Sequence, residues 1–108
     1  MKPFTRRPEV EADLARYARH IARDNEVAAE AFVTAAETAF RRLAHFPSLG
    51  RRRRWQNPRL AGLRSRPLAR PFAAWLVFYR ETTHAIEIVR VLHGTMNLGS
   101  RLLEPPEK

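Results

Sequence analysis

The sequence predicts an α+β fold: an N-terminal antiparallel helical hairpin packed on a three- to four-stranded antiparallel sheet. Two observations carry this expectation. Apolar residues recur at helical spacing from 9 to 45 with one break at Asp24-Asn25, and beyond residue 60 the texture changes to short aromatic and β-branched runs punctuated by Pro and Gly. A third is size, since 108 residues with 44% apolar content suffice for one core, so 1–108 reads as a single domain.

The first helix is expected over 9–23, where Val10, Leu14, Tyr17, Ala18 and Ile21 form a stripe and Arg16, Arg19 and Arg23 lie mainly off it. Pro8 suits the first helical position, and Glu9, Glu11 and Asp13 sit near the positive end of the helix dipole. The second helix is expected over 26–45, with Asn25 as N-cap, Ala29, Phe32, Ala36, Ala39, Phe40 and Leu43 as its stripe, and Pro47 and Gly50 ending it. So short a turn between helices makes them antiparallel. Phe32, Phe40 and Phe46 read as core.

Strands are expected at 60–67, 72–80 and 86–93, with 81–84 as a hairpin loop and 1–7 as an edge strand that tolerates Pro3. Residues 95–103 suit a short helix or strand, and 103–108, with Pro105 and Pro106, a frayed tail. In the second strand Phe72, Ala74, Leu76 and Phe78 alternate with Ala73, Trp75, Val77 and Tyr79, so both faces are apolar. In the third, alternation groups Ile86, Ile88 and Leu92 with Arg90, and Val89 and Val91 with Glu87 and His93. A helical hairpin covers one face of a sheet, and the C-terminal segment looks too short to cover the other, so a partner protein is the expected cover.

The formal charge is +9, and 18 of the 20 basic residues are Arg, Lys2 and Lys108 being the rest. Residues 1–50 are nearly balanced, whereas 51–80 hold Arg51, Arg52, Arg53, Arg54, Arg59, Arg64, Arg66, Arg70 and Arg80 with no acidic residue. The absence of Cys excludes disulfides, thiolate metal sites and thiol nucleophiles. His20, His45 and His84 are not spaced as metal ligands, and Gly50, Gly62, Gly94 and Gly99 form no phosphate-binding pattern, so neither metal nor cofactor is expected. The N-terminal residues are charged and contain Pro3 and Pro8, and no apolar run is long enough for a membrane span, which points to the cytoplasm.

Arg51, Arg52, Arg53 and Arg54, followed by Trp55, read either as an anionic-surface or target contact or as a solvated loop of like charges. No nucleic-acid-binding module matches around them. Arg64, Arg90 and His93 suggest a cationic acid/base cluster for phosphodiester cleavage, with Arg66 and Tyr79 on neighbouring strands. The plainer reading pairs Arg90 with Glu87, Glu81 or a partner's carboxylate, and leaves His93 to end a strand before Gly94.

Several strings then meet a known family: EVEADLARYARHIARDN, AAEAFVTAAETAFRRLAHFPSLGR, LRS at 63–65, VFYR at 77–80 and IEIVRVLHG at 86–94. In this order they resemble the RelE/ParE superfamily of type II toxins, and within it the ParE branch. The resemblance implies neutralisation by a cognate antitoxin of ribbon-helix-helix type with an acidic tail, a role in plasmid stabilization, and DNA gyrase as the target, with DNA reached through gyrase. A ParE-like gyrase inhibitor needs no active site of its own. Arg64, Arg66, Trp75, Tyr79, Arg80 and Arg90 are the residues expected to meet the antitoxin. The alternatives are a RelE-type, ribosome-dependent mRNA endoribonuclease or a non-toxic antitoxin-binding relative. RelE-type sites often use a C-terminal Tyr, and no Tyr follows Tyr79 here. After RVLHG many relatives carry Arg-Asp, where this chain has Thr95, Met96 and Asn97.

Overall fold

A computed structural model of the chain describes residues 2–95 and 98–103. The elements run β1 (Phe4–Arg6), α1 (Pro8–Ala22), α2 (Glu26–His45), β2 (Arg51–Arg52), a 3-10 turn (Pro58–Leu60), β3 (Arg64–Pro67), β4 (Trp75–Glu81), β5 (Ile86–His93) and α3 (Leu98–Leu102). The predicted hairpin forms as expected. Pro8 opens α1 behind Arg7, which makes no side-chain cap bond, and the Asn25 side chain caps α2 by accepting from the Ala28 N–H at 3.0 Å.

The sheet has five strands in the order β1-β5-β4-β3-β2. Its antiparallel body is β2 to β5, and β1 adds in parallel to β5, pairing Phe4, Thr5 and Arg6 with Ile86, Glu87 and Ile88. The whole hairpin intervenes between β1 and β5 in the chain, which is what a parallel neighbour requires. The 3-10 turn replaces the start of the strand predicted at 60–67, because Leu60 and Leu63 fold under the sheet. Residues 72–74 form a turn that precedes β4, with the Trp75 N–H bonded to the Phe72 carbonyl.

Strict alternation fails in β5 for a local reason. Phe78 pairs with Arg90 but Tyr79 pairs with Ile88, so Val89 is an inserted residue and the phase changes there. Ile86, Ile88 and Val91 consequently face the hairpin together with Val77 and Tyr79, while Val89 and Leu92 join Phe78 on the other side. Against the hairpin, these side chains bury Val10, Leu14, Tyr17, Phe32, Phe40 and Leu43. The second face is covered from within the chain, contrary to the sequence-based expectation of a partner protein. Leu60 and Leu63 beneath it, Leu98 and Leu102 of α3, and Leu103 just after that helix complete a second core, to which Trp55 and Leu76 add half-buried surface. Phe46 also departs from expectation: it lies past the last turn of α2 at 59% exposure, with the Arg42 guanidinium 5.9 Å from its ring centre. Of the tail predicted at 103–108, Leu103 is instead packed against the second core, and 104–108 lie outside the described residues.

Beyond the reach of β1, α1 takes over the free edge of β5. The Asp13 carboxylate accepts the Val91 N–H and the Tyr17 hydroxyl accepts the His93 N–H, each at 3.1 Å. The match is geometric, since four helical residues rise about 6 Å and two strand residues about 6.6 Å. An edge that would otherwise recruit another strand is closed by a helix.

Candidate functional site

The sequence sets a stripe of Ala31, Ala35, Thr38 and Arg42 beside the core stripe of α2, at spacings of four, three and four. Small residues there leave room in front of the helix. The opposite wall is the end of β3 and the segment that follows it. Leu68 and Phe72 are buried in the hairpin-side core, and the Leu68 N–H bonds the Trp75 carbonyl at 3.0 Å, so this wall is pinned at both ends. Between the walls lies a groove of about 900 Å³. Ala35, Ala39, Leu43, Leu49, Leu68 and Phe72 give it an apolar lining, Arg42, Arg66 and Arg70 its charge, and no acidic residue lines it.

The wider charge pattern points the same way. Among the described residues the ion pairs hold Lys2, Arg6, Arg7, Arg16, Arg80 and Arg90 with Glu11, Asp13, Glu37, Glu81 and Glu87, around α1, α2, β1 and the β4–β5 hairpin. Arg51, Arg52, Arg54, Arg59, Arg64, Arg66 and Arg70 have no carboxylate partner among the described residues. Arg64 donates instead to the Gly50 carbonyl at 3.0 Å and stands directly across from Arg52. Like charges paired across strands repel, so this side of the molecule favours an anionic occupant.

The residues expected to meet an antitoxin separate by burial. Arg66 is exposed at the groove, Arg64 is half-buried on the same strand, and Arg80 is half-buried, reaching the Arg59 and Ala61 carbonyls at 3.3 and 3.4 Å. Trp75 is half-buried, its ring packed against Tyr17, Phe32, Phe72 and His93. Tyr79 and Arg90 have internal roles. The buried Tyr79 hydroxyl donates to the Pro47 carbonyl and accepts the Gly50 N–H, both at 2.7 Å, tying the end of α2 to β2. Burial, the largest effect, raises its pKa above the ordinary tyrosine value. Arg90 is held by Asp13, at 2.7 and 2.8 Å, and by the Arg101 carbonyl at 2.9 Å. Its partner is thus neither Glu87 nor Glu81.

The structure does not gather Arg64, Arg90 and His93. Arg64 reaches toward β2 and Arg90 toward α1, while His93 Nδ1 lies 2.7 Å from Thr95 Oγ1 with its ring against Trp75. In the arginine run, Arg51, Arg52 and Arg54 are exposed, and Arg53 folds back with Nε 2.7 Å from Ser65 Oγ and its guanidinium over Phe78 and Trp55. Burial, then the neighbouring Arg51 charge, lowers the Arg53 pKa below its usual value. Trp55 packs on the second core and its indole N–H reaches the Leu63 carbonyl at 3.4 Å, so its ring is not a free stacking surface. Among the described residues no cluster of His, Asp or Glu suits a metal ion, and no helix is long and apolar enough to cross a membrane. Arg42 escaped the sequence reading, although the stripe at 31, 35, 38 and 42 was a signal for it, and Arg70 figured there only as one cation of the stretch 51–80, not as a site residue.

Comparison with known proteins agrees on one family. Residues 5–98 match the family described as the ParE toxin of the type II toxin–antitoxin system parDE. The chain is 36% identical over 94 residues to Toxin ParE3 of Caulobacter vibrioides, covering 86% of this chain and 87% of that protein. Its fold matches a chain of the chromosomal ParDE TA system from P. aeruginosa with a TM-score of 0.68 at 20% identity, covering 86% of this chain and 96% of the other.

Proposed function

The chain belongs to the ParE family of toxins of type II toxin–antitoxin systems, and from that premise we propose that it inhibits DNA gyrase by protein–protein contact and is silenced by an antitoxin seated in the α2 groove. The antitoxin is of ribbon-helix-helix type, and its acidic tail, disordered when free, folds against the toxin. Inhibition takes place in the cytoplasm and brings the toxin to DNA that gyrase already holds.

One observation carries the reading: an apolar groove whose charged residues are Arg42, Arg66 and Arg70, with no carboxylate of its own. Apolar anchors on a tail would fill the space before Ala31, Ala35 and Ala39, and tail carboxylates would meet the three guanidinium groups, for which Arg is better suited than Lys. Arg64 and Arg80 extend the cationic surface beyond it. The separate positions of Arg64, Arg90 and His93 favour a binding mechanism over nuclease chemistry.

Purified toxin added to gyrase and relaxed plasmid tests this. Loss of supercoiling or accumulation of cleaved complex, reversed by the adjacent antitoxin, is expected. Unchanged gyrase at excess toxin, or cutting of ribosome-bound message, would overturn it.

A further inference from the structure

We propose that the β2 edge and the loop after it carry a second binding site, outside the antitoxin groove, for the phosphate backbone of duplex DNA. Its residues are Arg51, Arg52, Arg54 and Arg59, all exposed and none lining the groove. None has a carboxylate partner among the described residues, and the sequence from 51 to 80 contains no acidic residue. An antitoxin tail held along α2 therefore leaves these four cations unneutralised.

The anion is a phosphodiester backbone because of what accompanies the charge. Arg offers a planar fork that matches phosphate oxygens in pairs. Arg52 stands opposite Arg64 across the β2–β3 ladder, an arrangement that an intervening anion relieves. The apolar anchors of a protein partner have no place in the loop: Leu60 is buried, Trp55 is packed on the second core, and the exposed large apolar side chains among the described residues, Val27 and Phe46, lie elsewhere in the sequence.

Duplex is favoured over single strand for two reasons. Single-strand sites stack bases on exposed aromatics, and the ring here is committed to Phe78. Duplex DNA also presents about one charge per 1.7 Å. The only helix in the loop is the three-residue turn Pro58–Leu60, too short to enter a groove and read bases, so binding is indifferent to sequence.

The test is fluorescence anisotropy of the full chain with a labelled 20-base-pair duplex across a salt series. Four phosphate contacts give a slope of about −3.6 in log affinity against log salt, equal for two unrelated sequences. Arg51→Ala, Arg52→Ala and Arg54→Ala together reduce that slope by about 2.7, while the charge-preserving Lys versions keep it. The charge-matched control is Arg19→Ala, Arg23→Ala and Arg41→Ala, on the exposed surface of the helical hairpin, and leaves the slope unchanged. Equal losses from both triple variants would reduce the effect to net charge and overturn the site, as would tighter binding to single-stranded RNA or equal competition by polyglutamate. Antitoxin affinity, measured on the same variants, stays at the wild-type value, so this proposal and the groove fail or stand separately.

Discussion

Asp13 and Arg90 form a buried ion pair 77 residues apart in sequence, with the carboxylate side chain 1% and the guanidinium 8% exposed. Asp13 also accepts from Arg16 and from the Val91 N–H, and Arg90 also holds the Arg101 carbonyl. One carboxylate thus joins α1 to β5, and its partner joins β5 to α3. Asp13→Leu removes the counter-charge of the buried Arg90 and the acceptor of the Val91 N–H, for an expected loss of about 3–5 kcal/mol. Arg90→Met leaves Asp13 with Arg16 and Val91, and costs less, about 1.5–3 kcal/mol. Combined, the two substitutions cost less than their sum. Urea denaturation of the three variants checks this; strict additivity would contradict the pairing.

Tyr79 sets an alkaline limit to stability. Its pKa is raised by burial, so the folded state holds its proton more tightly than the unfolded state, whose value is near 10.0. The contribution is complete below about pH 10 and is lost as pH rises through the folded-state pKa. Tyr79→Phe strands the Gly50 N–H and lowers neutral-pH stability by about 1–3 kcal/mol, but flattens the alkaline decline. Denaturation midpoints from pH 8 to 11 would show both effects. Gly50→Ala should cost about 1–3 kcal/mol as well, because an added Cβ would strike the Tyr79 ring and hydroxyl.

The second face tests whether the chain closes its own core. Leu102 is 8% exposed in a five-residue helix that has little stability apart from its packing. Leu102→Ala is expected to cost about 2–3 kcal/mol in the isolated toxin. A change within 0.5 kcal/mol, a typical surface effect, would mean that α3 is not docked there.

At the groove, Arg70→Glu places a like charge before an acidic tail. It should slow antitoxin association by about tenfold and weaken its salt dependence, while thermal stability stays within about 0.5 kcal/mol of the parent, since Arg70 is exposed and outside any ion pair among the described residues. Stopped-flow association at two salt concentrations measures it.

The helices and β5 were readable because their signals are periodic or contiguous: α2 and β5 fall at their expected bounds, and α1 within a residue. What escaped depends on distant partners. Asp13 reads locally as a dipole-favoured acid, yet its place between Val10 and Tyr17 on the apolar stripe was the available sign of a buried partner. A two-residue strand made of Arg51 and Arg52 has no apolar alternation to reveal it. The bulge at Val89 breaks the period on which face assignment rests, and the groove joins residues 31–43 to 66–72 only after folding.

Hydrogen–deuterium exchange of the toxin with and without its antitoxin tests the central claim most directly. Slowed exchange concentrated in residues 31–43 and 66–72 is the predicted result. Protection confined to other segments, with these two unchanged at saturation, would contradict the groove as the antitoxin's seat.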